Sequence, residues 1–375
     1  MNLHLEIEFV GLFFLLICFP IYWKSYNQIS HEKLLLSNRN TIIDFIRGLA
    51  MIGIVCIHID SYFAFYHPND SFLLFTKLIS NLSRFSVPVF ILSSALFLKW
   101  KTNKQYWSTK IQTLLIPFVV CSILGYFTKY NILEEGFLNF LFRIFLGKVF
   151  EPYYYIPLLF QFYLLYAIFY RHTENISSSK KLIYIFLAGI INFISNQYFP
   201  KNTYFIQTIE NISFTNFVFF FTVGFYSKEI FLNTNTFLNF WNSRIRNIFL
   251  ITTTIFVLYI CYITFQTPFL FSNHYLFYPF TMFVILFFLG LKWESGLTYK
   301  TLYNLLSYIG KHSLAIFLLH PLTIHLMHLF DPYVLFGPYL SYFITLILNL
   351  GLPLLAWHSA TRVLDLLKKA KETQK

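Results

Sequence analysis

Charge is scarce in this sequence: Asp, Glu, Lys and Arg make up 12% of its 375 residues, about half the share an ordinary soluble domain carries. That scarcity excludes a water-soluble enzyme core, a disordered chain, a collagen and a coiled coil. Cysteine is scarce too. Cys18, Cys56, Cys121 and Cys261 each lie inside an apolar run with no CxxC spacing, which excludes a disulfide framework or thiolate zinc site and leaves them as packing residues. No GxSxG, GxxxxGK[ST] or strand-borne GxGxxG is present, so the common soluble hydrolase and nucleotide-binding signatures are missing. What fills the chain is apolar: 57% hydrophobic and 22% aromatic residues, with a mean hydropathy of +0.59. The solvent for most of it is lipid.

Eleven stretches reach the roughly 20 apolar residues that a helix needs to cross a bilayer: about 5–23, 42–65, 79–98, 111–128, 153–170, 182–199, 214–231, 248–266, 274–291, 308–330 and 333–357. The expected fold is therefore all-α, a polytopic transmembrane bundle of ten or eleven helices in a single membrane domain. The first stretch has Glu6 and Glu8 where a secretory signal needs Lys or Arg, so it is expected to stay as a helix. The organisation reads as an extra helix and inner loop over 1–40, a membrane domain over 41–360 and a basic cytoplasmic tail over 361–375.

The excess of Lys and Arg, a net charge of +12, reads first as orientation. With the N-terminus outside and the C-terminus cytoplasmic, twenty-one Lys and Arg fall on the inner side and four on the outer, as the positive-inside rule requires. Nucleic acid is not needed as a partner; membrane lipids are. The outer stretch 129–152 mixes Glu134, Glu135, Arg143 and Lys148 with Phe, Leu and Ile, which predicts an amphipathic helix along the interface. No inverted repeat is detectable, which lowers the standing of a secondary transporter.

The residues that matter are those costly to bury. In 41–60, Asp44, Arg47 and His58 share one helical face, since eleven steps from Arg47 to His58 leave a net rotation of roughly 20° and an axial distance of roughly 16 Å. Arg47 thus sits near the inner interface and His58 beyond the middle. A charge inside a span costs about 2.5–3.5 kcal/mol, so such a face should point into protein or a watery cavity. Two readings stay open: a catalytic face, or an Asp44–Arg47 ion pair easing insertion beside a core histidine. Gly48 and Gly53 suit close helix packing. Arg84 is a second deep cation, free to snorkel outward, and Pro88 is placed to kink its helix. Lys99, Lys101, Lys104 and Lys110 suit anionic headgroups, cofactor phosphates or topology alike. His320 lies at a depth comparable with His58, so the two can line one cavity. His325 and His328 follow, but spacings of five and three with few acids nearby do not make a metal site, and none is expected. Asp60, about 200° round from His58, reads as a cap on the outer helix end more than as a partner of the imidazole.

Taken together these elements resemble the acyltransferase 3 family of integral-membrane acyltransferases, with the nearest likeness to its branch acting on enterobacterial common antigen and exopolysaccharides. Arg47 and His58 match the family's R-x10-H signature, with Asp44 and Gly48 in the surrounding D-x-x-R-G element. Arg84 to Leu98 is similar to its R-x-x-V-P helix, Lys110 to Phe118 to its basic-then-Pro element, and Tyr154 to Leu159 to its W-F-L stretch. His312 to His320 resembles its S-x-x-I-Y-L-x-H helix. Ser94, Tyr154 and Ile91 stand where the family carries Gly, Trp and Phe, and the extra first helix makes eleven where ten is usual.

The resemblance implies transfer of an acyl group, commonly acetyl from cytosolic acetyl-CoA, to a hydroxyl of an extracytoplasmic glycan or lipid-linked sugar at the cell membrane. A histidine, with its ordinary pKa near 6.5, suits proton transfer at neutral pH, so His58 is the expected general base or acyl carrier, with Arg47 and Asp44 as further catalytic residues on the same helical face. Arg84, His320 and Tyr154 are expected to contact substrate, and Lys110 and Arg47 the CoA. The rival expectation is a polysaccharide or lipid exporter without acyl-transfer chemistry; a non-catalytic scaffold is a third. Homo-oligomerisation is left open.

Overall fold

The structure is a computed structural model that describes residues 40–68, 70–99, 102–130, 132–173, 176–198, 212–233, 243–266 and 276–373. The expected helix at 5–23 and Cys18 lie outside the described residues. Helices account for every regular element among those described, and no strand occurs among them. Seven of the described helical segments are long and apolar enough to cross a membrane, which makes the chain a polytopic α-helical membrane protein.

Helix α1, Thr41–Tyr66, is the hub. Asn40 caps it by accepting from the amides of Ile42 at 3.0 Å and Ile43 at 3.1 Å, two of the donors a helix start leaves unpaired. Buried residues lie all round α1, as befits a helix surrounded by others. The next span, Leu73–Leu96, is broken into α2 (Leu73–Leu82), a tight 3₁₀ turn (Ser83–Phe85) and α3 (Ser86–Leu96). Pro88 falls in the first turn of α3, where its missing N–H removes no helical bond. The expected kink is thus a turn placed just before the proline, and it carries Arg84.

Beyond it come α4 (Asn103–Lys110), a π turn (Ile111–Leu115) and α5 (Ile116–Lys129), one continuous span. The stretch expected to lie along the interface folds as α6 (Ile132–Glu135) and α7 (Phe137–Phe145). Arg143 donates to Glu135 through Nε and Nη2, both at 2.8 Å, while Phe137, Leu138 and Phe145 face outward. A 3₁₀ turn (Glu151–Tyr154) leads into α8 (Tyr155–Thr173), followed by α9 (Ser178–Tyr198) and the short pair α10 (Val218–Tyr226) and α11 (Lys228–Phe231). Helices α12 (Ser243–Gln266) and α13 (Phe277–Ser295) complete this part.

The expected helix over 308–330 is two elements, α14 (Lys300–Lys311) and α15 (Ser313–Met327), separated at His312. The reason is backbone contact between α1 and α14. A methyl group on Gly48 would meet the Leu306 carbonyl oxygen at 2.0 Å, and one on Gly310 would meet the Asp44 oxygen at 1.7 Å. Glycine at both positions allows this approach, and α14 ends at Lys311, just past Gly310. After α16 (Pro332–Phe336), α17 runs from Pro338 to Thr373. The tail expected from 361 onward therefore continues the last helix, since 361–373 contains no Gly or Pro to stop it.

Buried tyrosines tie the bundle together. Tyr106 donates to the Tyr163 carbonyl at 3.1 Å, Tyr153 to that of Leu318 at 2.5 Å and Tyr278 to that of Leu82 at 2.6 Å. With no water in the hydrocarbon, each hydroxyl must find a protein acceptor, and here each finds one on another helix.

Candidate functional site

Two compartments stack along α1. The first is a cavity of about 160 Å³ with Arg47, Ser94, Lys110, Thr113, Tyr155, Tyr163 and Ser313 on its walls and Ile54, Phe90 and Phe317 among its apolar lining. Arg47 reaches it from the second turn of α1, its Nη2 donating to Ser313 Oγ at 3.2 Å and its guanidinium 5.7 Å from the Phe90 ring. Ser313 is the first residue of α15, so the break at His312 delivers it there. Lys110 also lines the cavity, its Nζ 3.9 Å from the centre of the Tyr163 ring and 5.7 Å from that of Tyr106. The π turn that begins at Ile111 inserts an extra residue into the helix, a device often found at functional sites. It leaves Lys110, Thr113 and Leu114 all on the cavity wall. Two cations held over aromatic faces around one space make a receptacle for an anionic group.

The second compartment is a pair of histidines. His58 stands four residues beyond the cavity's Ile54 and faces His320, with ring centroids 5.5 Å apart and planes inclined at 42°. His58 keeps part of its surface accessible, whereas His320 is fully buried. Phe317 belongs to both compartments: it lines the cavity, packs 5.3 Å from Tyr155 and lies 6.0 Å from His320. The charged side chain near enough to act electrostatically on His58 is Arg84 from the 3₁₀ turn, which is itself in the field of Tyr154, Asp60 and Glu151.

The sequence-derived candidates divide between these compartments. Arg47 and Lys110 share the cavity wall. His58 and His320 form the pair beyond it, with Arg84 beside them and Tyr154 facing Arg84. Asp44 is buried at 5% exposure beneath the glycine contact with α14 and is not on the cavity wall. The capping role expected for Asp60 is overturned. Helix α1 continues to Tyr66, and Asp60 is buried, accepting from Thr76 Oγ1 at 2.6 Å. His325 and His328 lie toward the far end of α15, where His328 stacks on Tyr66 and His325 bonds to the Thr128 carbonyl at 3.3 Å.

Sequence reasoning misses two wall residues, Tyr155 and Tyr163. Their signal is present: with Leu159 they recur at every fourth position along α8, one stripe of a helix. Amid 27 tyrosines that stripe does not stand out. The family pattern points to Tyr154 instead, one residue too early for the cavity.

Comparison with known proteins places residues 40–358 in a match to the family model described as an acyltransferase domain, acyltransferase 3. Over 301 residues the chain is 25% identical to proteins of Staphylococcus aureus strains MSSA476 and MW2 named as probable poly-beta-1,6-N-acetyl-D-glucosamine export protein, covering 75% of this chain and 81% of each relative. The protein of that name from strain MRSA252 is 24% identical over 298 residues, with the same coverage. No solved structure matches the chain.

Proposed function

The chain belongs to the acyltransferase 3 family of integral-membrane acyltransferases, and from that premise we propose that it carries an acyl group from an acyl-CoA, acetyl-CoA first among them, to a hydroxyl of an extracytoplasmic glycan or lipid-linked sugar. The observation that carries the proposal is a two-cation cavity whose lining on α1 ends at Ile54, one turn before His58 and its partner His320. In this reading the end of the bundle that holds Lys110 faces the cytosol, the C-terminus lies on that side and the N-terminus outside. Phosphates of the donor meet Lys110 and Arg47, and the thioester arm rises past Phe317 toward His58.

There His58 takes the proton of the acceptor hydroxyl as its oxygen attacks the thioester carbonyl. The new C–O ester bond forms, the C–S bond breaks, and the proton passes to the departing thiolate, leaving free CoA. Arg84 stabilises the charge that gathers on the carbonyl oxygen. Attack by His58 itself is the alternative: a C–N bond to the imidazole forms as the C–S bond breaks and CoA leaves, and the acceptor oxygen then forms the C–O ester bond as the C–N bond breaks, its proton passing to the freed imidazole.

The test is CoA release by the purified protein with a glycan acceptor. His58→Ala is expected to lower it by about 10²–10⁴-fold, the range of a lost general base, while the protein stays monodisperse and folded in detergent. Release at the native rate by that variant would remove His58 from the mechanism. A second reading, export of a glycan, is favoured by the names of the Staphylococcus aureus relatives. It replaces the first if no CoA thioester is consumed while a lipid-linked glycan crosses vesicles holding the protein.

A further inference from the structure

His320 is fully buried, and its Nδ1 lies 2.9 Å from the carbonyl oxygen of Ile316, one turn back on α15. The Phe317 carbonyl faces the same ring, and it is the carbonyl that Pro321, lacking an N–H, leaves unpaired in the helix. Carbonyl oxygens only accept, so Nδ1 must carry the hydrogen, and in the neutral ring Nε2 is left with a lone pair. That Nε2 is buried without a hydrogen-bond partner among the described residues. A buried imidazole acceptor is satisfied only by a neighbouring donor, so the ring beside it decides what this nitrogen does. The titratable ring beside it is His58, at 5.5 Å between centroids.

A histidine base needs its second nitrogen held as an N–H donor, so that the first presents its lone pair to the substrate. A carboxylate commonly does the holding. The nearest one on α1, Asp60, is engaged by Thr76 at 2.6 Å and faces Lys77 and Arg84, and it sits about 200° round the helix from His58. We propose, resting on the acyl-transfer reading above, that His320 takes the carboxylate's place. It is a positioning residue whose Nε2 lone pair accepts the N–H of His58, directly or across one water, and fixes which nitrogen of His58 is the base. A neutral holder has a chemical advantage here. An anion at this point would pair with Arg84 and draw it away from the reacting carbonyl.

Three variants separate positioning from packing. His320→Asn keeps a donor where Nδ1 stood but has nothing where Nε2 stood; His320→Gln restores an acceptor at the Nε2 position; His320→Phe keeps the ring volume alone. The purified proteins are assayed for CoA release across donor concentrations, with thermal unfolding in detergent as the control for folding. The Asn and Phe variants are expected to turn over about a hundredfold more slowly or worse, as when a base is no longer presented to its proton, with the donor KM within about twofold of native. The Gln variant is expected to recover turnover to within about tenfold of native. Asn as active as Gln, or losses that appear in KM and not in kcat, would overturn the inference. Should Phe fail to fold, the Asn and Gln pair still decides it. Retention of native CoA release by His58→Ala would instead sink the acyl-transfer site, whatever His320 does, and the two failures are thereby distinct.

Discussion

At the scale of single residues, the proposed acyl transfer separates holding the donor from reacting with it. Arg47 lies about three helical turns from His58 along α1, too far to share a chemical step, so in the proposed reading it and Lys110, on the wall of the same cavity, hold one end of a long substrate whose other end meets His58. Lys110→Ala is therefore expected to raise the donor KM about tenfold or more, the effect of losing one hydrogen bond to a charged group, with kcat little changed. Arg47→Lys is expected to do the same despite keeping the charge, because the planar fork that reaches Ser313 while resting near Phe90 has no counterpart in an ammonium. Initial rates of CoA release over a range of acyl-CoA concentrations check both. A fall in kcat with KM unmoved would assign these residues to the reaction centre instead.

At the scale of elements, the contact between α1 and α14 sets the geometry of everything above it. Asp44, whose carbonyl is covered by Gly310, stands one turn before Arg47. Adding a single methyl group at Gly310 must therefore push apart the helix that carries Arg47, His58 and Asp60. Gly310→Ala is expected to destabilise the protein by about 1–3 kcal/mol, the cost of overpacking an interface that cannot yield, and to lower acyl transfer along with it. Thermal unfolding in detergent reads the first effect. A melting temperature unchanged from native would show that the two backbones do not meet. The short irregular turns have the same status. The 3₁₀ turn at Ser83–Phe85 aims Arg84 toward His58 and the π turn at Ile111–Leu115 rotates the wall around Lys110.

At the scale of the whole molecule, the bundle has two distinct ends. One gathers the start of α1 and the end of α13, joined by Thr41 Oγ1 donating to Glu294 at 2.5 Å and Tyr303 donating to the same carboxylate at 3.1 Å. The other joins the end of α1 to the α15–α16 corner, with His67 Nε2 2.9 Å from Asp331 and the Tyr333 ring stacked on His67 at 3.9 Å. Single cysteines in place of Lys300 and Asp331, in a chain with its native cysteines replaced, are expected to react with an impermeant maleimide from opposite sides of the cell membrane, Asp331→Cys from outside. Labelling of both from one side would reverse or break the topology on which the donor's route depends.

Composition and helical period were enough to read the class of fold and the identity of the costly residues. Lipid solvent forces helices on any chain so poor in charge, and Arg47, Arg84, His58 and His320 inside the spans are conspicuous where nearly every neighbour is apolar. The period also placed Arg47 and His58 on one face, because both belong to one unbroken helix. Only the tertiary structure decided what came from elsewhere in the chain: that His320 meets His58, that Lys110 shares a cavity with Arg47, and that Tyr155, not Tyr154, lines it. The same holds for Asp60, whose helix runs two turns further than a capping residue allows because its last turns pack on α2 and α17. Pairings between helices rest on where backbones can approach, which here means Gly48 against Leu306 and Gly310 against Asp44. Such contacts join residues more than two hundred positions apart, and no local pattern of hydrophobicity records them.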